Sequence, residues 1–303
     1  MKKKILISTG GTGGHVVPGA IFFEHLKNHF DVFLTSDERG LKFLNIEKEK
    51  IKIINTPKLK SNFFLWPINF LLVLFLTIKS FFFLKKNKID ILISTGGYMS
   101  LPLCFSAKIL NIKIYLFEPN MVIGRANIFY IKLCKKIFCY SNDIKNFPKK
   151  YYSKIEVINP ILRKSFYSIK PNDKKISDIL NLLIIGGSQG ANFFDQKLND
   201  VILNLSIKFK LKIYQQSSKK NIEVLRNFYN SKNINHKLFT YTQNISEFIS
   251  DSNLCITRAG ASTLSELTYL NLPYLAIPYP FAKDNHQYEN AVFYKDKNCC
   301  WVL

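Results

Sequence analysis

The stretch from Ile256 to Asn290 concentrates residue types suited to a phosphorylated, hydroxyl-rich ligand. A short apolar run, Leu254 to Thr257, leads into the small-residue loop Arg258 to Ser262, and helical spacing then runs from Thr263 to Leu270. A strand meeting a helix start offers unpaired N–H groups and the positive end of a dipole. Gly260 and Ala261 would let a diphosphate approach the backbone there. Glu266, expected in the first turn, can accept two hydrogen bonds from a ribose diol. Beyond the apolar run Leu275 to Ile277 and the loop Pro278 to Phe281, Asp284, Asn285, His286 and Gln287 supply polar groups able to read sugar hydroxyls. Together these suit a nucleoside diphosphate sugar. An ordinary strand-to-helix turn with a capped helix accounts for the same local pattern.

A second candidate is the loop Gly10 to His15, GGTGGH. It lacks the GxGxxG spacing of a dinucleotide fingerprint, and no Lys-Ser or Lys-Thr pair follows as a Walker A loop requires, so ATP hydrolysis is not expected. It reads as a Gly-lined diphosphate seat before a helix from Gly19 to His29. His15 stands at the mouth of that helix, where the dipole favours the neutral imidazole that a general base needs. A capping or phosphate-binding role is the alternative, and Glu118 is then next in line as the base. His25 and His29 lack a third ligand and read as surface residues. No Asp-x-Asp pair occurs, so helix dipoles and not a metal are expected to carry the diphosphate charge, and no cofactor is expected.

These groups need a scaffold. A chain of 303 residues, 47% hydrophobic, supports two domains, each with its own core. The net charge of +22 points to an anionic partner, although Lys, Ile and Asn are abundant throughout. With no Arg-rich run interleaved with aromatics, nucleic acid is not the expected partner. The six cysteines, 104, 134, 139, 255, 299 and 300, show no CxxC spacing and read as reduced, mostly buried thiols of a cytoplasmic protein. Met1-Lys-Lys-Lys runs straight into a strand without the apolar core of a signal peptide, so export is not expected.

Apolar runs at Ile5 to Ser8, Val32 to Thr35, Ile51 to Ile54, Ile91 to Ser94, Ile114 to Phe117, Ile137 to Tyr140 and Glu156 to Ile158 alternate with helical segments. This predicts a parallel, doubly wound α/β sheet. After the linker-like segment Ser168 to Ser177, a second series follows at Leu182 to Ile185, Lys212 to Gln215, His236 to Thr240, Leu254 to Thr257 and Tyr274 to Ile277. Both halves open on a strand, a Gly-rich turn and a helix: ILISTGGTGGH and LLIIGGSQGA. Two such domains would face one another across a cleft lined by the carboxyl ends of their strands.

GGTGGH at Gly10, STGGYMSLP at Ser94, EPN at Glu118, NPILR at Asn159, GGSQGA at Gly186, TRAGASTLSE at Thr257 and DNHQYENA at Asp284 resemble, in order, the motifs of the MurG family. The resemblance covers nearly the whole chain. It implies a GT-B fold of two Rossmann-like doubly wound domains: residues 1–165 for a lipid acceptor and membrane association, 178–303 for a UDP-GlcNAc donor. It also implies that Glu266 holds the ribose, that Ala261, Ser262, Thr263, Leu264 and Ser265 hold the diphosphate, that Ser188 meets a phosphate, and that Thr242 meets the uracil through its backbone. Gln287 and Asn120 would contact GlcNAc, with Thr12, Gly13 and Gly14 closing over it. Arg163 is the counterpart of the family's pocket arginine, although NPILR has one residue more than the usual NPxR. Pro119 replaces the Gln usual between Glu and Asn, removing an amide. The chain stops at Leu303, where the family continues through further helices. These C-terminal helices are therefore expected to be missing, and Cys299 to Leu303 to lead into a strand or buried turn.

Phe63 to Leu84 is long enough as a helix to match a bilayer core of roughly 30 Å. Strands on either side are expected in one sheet, which argues against spanning. A buried crossover helix is one reading. The other, favoured by the broad apolar surface that includes Phe81, Phe82 and Phe83 and by Lys58, Lys60, Lys85, Lys86 and Lys88, is an interfacial element on an anionic membrane surface. The expected activity is metal-independent, inverting transfer of GlcNAc from UDP-GlcNAc to the C4 hydroxyl of undecaprenyl-linked MurNAc-pentapeptide, at the cytoplasmic face of the cell membrane as a peripheral protein. A UDP-GlcNAc 2-epimerase of the same fold, or an inactive membrane-binding homologue, are the alternatives.

Overall fold

The computed structural model describes residues 2–44, 46, 51–56, 66–171, 178–240, 242 and 244–303, with the backbone alone at 66 and 188–191. Two compact units form, Met1–Arg163 and Lys164–Leu303.

The first unit holds strands β1 (Lys4–Ser8), β2 (Asp31–Ser36), β3 (Ile51–Ile53), β4 (Ile91–Ser94), β5 (Lys113–Glu118), β6 (Lys136–Cys139) and β7 (Ile155–Val157). Its helices are α1 (Gly13–Leu26), α2 (Glu38–Leu41), α3 (Trp66–Lys86), α4 (Leu101–Ile109) and α5 (Arg125–Tyr130). The second unit begins with α6 (Lys164–Tyr167), whose Tyr167 meets the Tyr269 ring edge-on. It continues through β8 (Ile179–Ile185), α7 (Gly187–Lys197), α8 (Asn199–Lys208), β9 (Lys210–Gln216), α9 (Ile222–Ser231), β10 (Asn235–Phe239) and α10 (Ile245–Asp251). Then come β11 (Leu254–Thr257), α11 (Ala261–Tyr269), β12 (Tyr274–Ala276), α12 (His286–Lys295) and β13 (Cys300–Val302).

The sheets have the orders β3-β2-β1-β4-β5-β6-β7 and β10-β9-β8-β11-β12-β13, with every pair parallel. The α/β expectation therefore holds in both halves. Parallel strands covered on both faces must be apolar at nearly every position, and Leu6, Ile7, Leu92 and Leu116 in one sheet and Leu182, Leu183, Ile184 and Ile213 in the other are wholly or almost wholly buried. Strand order reverses between β1 and β4 and between β8 and β11, the switch points where ligands of such sheets bind.

Two boundaries differ from the sequence expectation in ways that move site residues, and the C-terminal residues form the strand that is one of the two expectations for them. Helix α1 begins at Gly13, not Gly19, and runs through Pro18. The carbonyl that Pro18 leaves without a helical donor belongs to the exposed Gly14, where water can serve it. His15 therefore lies inside the first turn, not ahead of it. Helix α11 begins at Ala261 because Gly260 is an extended cap, so Glu266 falls in the second turn. Residues 300–302 form a short strand along β12, with Trp301 exposed.

Candidate functional site

In the first unit the loops after β1 and β4 emerge side by side. The Nδ1 of His15 lies 2.8 Å from the carbonyl oxygen of Thr95. A carbonyl only accepts, so Nδ1 carries a proton, and the tautomer this selects for an unprotonated ring has its lone pair on Nε2. The backbone carbonyl of His15 is held by Thr9 Oγ1 at 2.7 Å and Thr95 Oγ1 at 2.9 Å. Gly96, at φ +91°, makes room for the ring, since a Cβ there would stand 3.1 Å from Cε1 of His15. The imidazole is thus fixed in one tautomer and turned toward the sheet loop, not toward the helix N–H groups it would cap.

Within the Gly10 to His15 loop, expected as a diphosphate seat, the Gly11 amide is already engaged. The Gly11 N–H donates to Asp37 Oδ1 at 2.8 Å, and Asp37 is a buried carboxylate paired with Arg39. An amide spent on a carboxylate is not offered to an anion, whereas Thr12 puts no side-chain cap on α1, so the N–H groups at the start of that helix keep such a capacity. Thr12 and Gly14 remain exposed at the rim, with Gly13 half-buried between them.

Glu118 at the end of β5 is 2% exposed. Its Oε1 accepts from Asn120 N and Nδ2 at 3.2 and 2.8 Å, and Oε2 from Gly124 N and Asn127 Nδ2 at 2.7 and 2.9 Å. A carboxylate with both oxygens doubly occupied is a loop clamp. The expectation of Glu118 as a reserve base is corrected on that ground, and its effect is to orient the Asn120 side chain. His25, read as a surface residue, is tied through Nε2 to the Leu162 carbonyl at 2.8 Å and anchors the segment leading to the half-buried Arg163. Among the described residues no group of three or more His, Cys, Asp and Glu is gathered to hold a metal. Burial pushes the thiols of Cys104, Cys139 and Cys255 up, and that of Cys134 to about 11, so none of these is a ready nucleophile.

In the second unit β11 ends at Thr257, and Arg258 to Gly260 lead into α11. Gly260 has no capping side chain, so the first-turn N–H groups of α11 keep their capacity for an anion. Ala261, Ser262 and Thr263 line that start. Leu264 is core, and the Ser265 hydroxyl is spent inward on the Ala261 carbonyl and on Tyr294, so neither side chain faces a ligand. Glu266 is 3% exposed, one turn further on. Asn290 of α12 braces the loop through the Ala259 carbonyl at 3.1 Å. Gln287 accepts the Tyr279 N–H at 2.9 Å, which uses its carbonyl end and leaves its NH₂ for a hydroxyl. Asp284 and Asn285, just before α12, both take left-handed backbone, which short amide and carboxylate side chains tolerate. The Thr242 hydroxyl accepts the Asn244 N–H at 3.0 Å. Ser188 lies at the start of α7, with its side chain outside the described residues.

Sequence reading missed Arg258. The residue is 6% exposed, and its guanidinium stacks over Phe193, Phe194 and Tyr279 at 4.6, 5.0 and 5.6 Å while donating to the carbonyls of Ile277 and Pro278. Desolvation lowers its pKa, yet no carboxylate pairs with it among the described residues. It borders a cavity of about 350 Å³ formed with Phe193, Pro278, Tyr279 and Phe281. The signal in the sequence was an arginine between a buried strand and a Gly loop, a place where charge is costly without a use.

Residues 5–139 match the glycosyltransferase family 28 N-terminal domain, and residues 181–303 match the glycosyltransferase family 28 C-terminal domain. A UDP-N-acetylglucosamine--N-acetylmuramyl-(pentapeptide) pyrophosphoryl-undecaprenol N-acetylglucosamine transferase of Pelagibacter ubique (strain HTCC1062) is 54% identical, across 100% of this chain and 85% of the relative. The chain belongs to glycosyltransferase family 28. A transferase of the same name from Wolbachia sp. subsp. Drosophila simulans (strain wRi) is 34% identical over 99% of this chain and 84% of its own. The crystal structure of Acinetobacter baumannii MurG superposes with TM-score 0.74 at 24% identity, over 100% of this chain and 86% of that one. A UDP-N-acetylglucosamine 2-epimerase shares the fold at TM-score 0.59 and 11% identity, covering 98% of this chain and 87% of its own.

In this family 28 chain the apolar segment of the first unit is α3, with Phe63 to Leu65 outside the described residues. Residues 67–86 are long and apolar enough to cross a membrane. Helix α3 links β3 to β4 of one sheet, and a single crossing would part those strands. Among its described side chains Ser80 and Leu84 are buried, toward the C-terminal end, where the Ser106 hydroxyl of α4 reaches the Thr77 carbonyl. Ile68, Phe70, Leu71, Leu72, Leu74, Phe75, Ile78 and Phe82 are exposed. The buried-helix alternative is therefore corrected for the N-terminal half. Phe81 and Phe83 are only half-exposed, whereas Phe82 is exposed, its ring edge-on to that of Phe81.

Proposed function

We propose that this chain transfers GlcNAc from UDP-GlcNAc to the C4 hydroxyl of undecaprenyl-pyrophosphoryl-MurNAc-pentapeptide, making lipid II from lipid I in peptidoglycan synthesis. The observation that carries the reading is 54% identity, along its whole length, to a transferase named for that reaction. In this proposal His15 Nε2 takes the proton of the acceptor hydroxyl as the oxygen attacks C1 of the donor sugar. Direct displacement inverts that carbon, and UDP leaves with its charge held by the first-turn N–H groups of α11 and the nearby guanidinium of Arg258. Glu266 accepts from the ribose diol, Thr242 meets the uracil through its backbone, Gln287 and Asn120 contact the sugar, and Ser188 meets a phosphate. Thr12, Gly13, Gly14 and Arg163 complete the proposed substrate contacts.

Membrane association belongs to the same proposal. An acceptor with a long lipid tail stays in the bilayer, and the exposed face of α3 gives the first unit an apolar surface beside Lys79, Lys85 and Lys86 with which to meet an anionic, cytoplasmic leaflet. The 2-epimerase reading is favoured only by the shared fold. Measuring UDP release from UDP-GlcNAc with and without lipid acceptor separates the two. Release that requires the acceptor supports the transferase, and acceptor-independent conversion to the 2-epimer would overturn it.

A further inference from the structure

The two units open on the same local device with different chemistry. β1 and β8 are each followed by a glycine pair, Gly10-Gly11 and Gly186-Gly187, and the second glycine has φ +84° in one and +65° in the other. Neither position crowds a Cβ, so the requirement is for the left-handed backbone itself. The N–H of that second glycine donates in each case to a side chain at the end of the neighbouring strand. Gly11 donates to Asp37 Oδ1 at 2.8 Å, just past β2, and Gly187 donates to Gln216 Oε1 at 2.9 Å, at the last residue of β9. These positions correspond, since β2 adjoins β1 as β9 adjoins β8.

The acceptor is a carboxylate in the first unit and a neutral amide in the second. The Gln216 amide also has a second end. Its Nε2 donates to the Thr240 carbonyl at 2.9 Å, just past β10, so one side chain joins the loops after β8 and β10 across the end of β9. The neutral amide accepts from Gly187 and donates to Thr240 at once, which an ionised carboxylate cannot do. A carboxylate would face the Thr240 carbonyl oxygen with a lone pair and would add negative charge beside the loop. The nearby carboxylate of Asp195 is already spent on Gln215, Ser217, Ser218 and Asn221.

We infer that Gln216 is a positioning residue of the donor site: its amide fixes the loop at Gly187 relative to the loop beginning at Thr240, and its neutrality admits a diphosphate there. The inference rests on the donor-site reading above, in which Ser188 meets a phosphate and Thr242 the uracil.

The test is calorimetric titration of the full chain with UDP at pH 8 and pH 5. Gln216→Glu should weaken UDP binding about a hundredfold at pH 8, because the ionised carboxylate repels both the Thr240 carbonyl and the diphosphate. Toward pH 5 the glutamic acid regains its proton, helped by the carbonyl it faces, and becomes isosteric with glutamine. Affinity should then return to within about tenfold of the unaltered protein at the same pH, a recovery that a merely unfolded variant does not give. Gln216→Met, which removes both bonds without adding charge, should weaken UDP about tenfold at both pH values. If the unaltered protein binds UDP and Gln216→Glu binds it equally at pH 8, or loses binding without recovery at pH 5, the inference is overturned while the donor site stands. If the unaltered protein does not bind UDP, the donor-site reading itself fails.

Discussion

His15 Nδ1 donates to the Thr95 carbonyl oxygen across 2.8 Å, joining residues eighty positions apart in sequence at the switch point of the first sheet. The bond leaves Nε2 as the lone-pair nitrogen, and a base needs that orientation before any titration is considered. His15→Ala should lower turnover by roughly a hundredfold or more with UDP affinity nearly unchanged. Steady-state kinetics beside UDP titration checks this, and preserved turnover would remove His15 from the chemistry.

Gly96 tests the same geometry with the imidazole kept. Gly96→Ala must hold alanine at φ +91° with its Cβ 3.1 Å from the ring. Backbone strain of about 1–2 kcal/mol and a displaced ring should follow. Thermal unfolding should shift modestly downward while turnover falls about tenfold or more, with UDP affinity retained. A variant that loses stability but keeps full turnover would show that the ring position is not limiting.

For the donor, Glu266→Ala should remove two charge-assisted ribose hydrogen bonds, each on the order of 1.5–3 kcal/mol, and weaken UDP at least about tenfold. Glu266 is buried, so folding must be verified alongside. Unchanged affinity in a folded variant would sink its assignment to the ribose.

The strands were legible because a parallel sheet covered on both faces demands unbroken apolar runs, and Leu182 to Ile185 or Ile91 to Ser94 has no other use. Helix starts were less so. Pro18 suggests a boundary, yet α1 passes through it because its cost falls on an exposed carbonyl. The Gly loops could be found from sequence, but their difference could not. It depends on Asp37 and Gln216, which lie 26 and 29 residues from the glycines they hold and become neighbours only when β2 pairs with β1 and β9 with β8 in register. Likewise, nothing local in EPN shows that Glu118 is saturated. Its donors at Gly124 and Asn127 arrive through the fold of the loop that follows.

The membrane prediction is reshaped by the structure. Replacing Phe81, Phe82 and Phe83 together would disturb half-buried positions, whereas Phe70, Phe75 and Phe82 are 68%, 60% and 63% exposed. Changing those three to Ser removes apolar surface from the outer face of α3 at little cost to the fold. Each inserted Phe contributes about 1.5–3 kcal/mol on full burial, and each lysine near an anionic leaflet about 1 kcal/mol. The triple variant should therefore sediment with anionic liposomes at least about tenfold more weakly. It should lose transfer to long-chain acceptor yet keep transfer to a short-chain, water-soluble one. Salt should reduce binding of the unaltered protein only in part, since insertion is not screened. Liposome binding that survives in the folded variant would place the membrane contact elsewhere on the first unit.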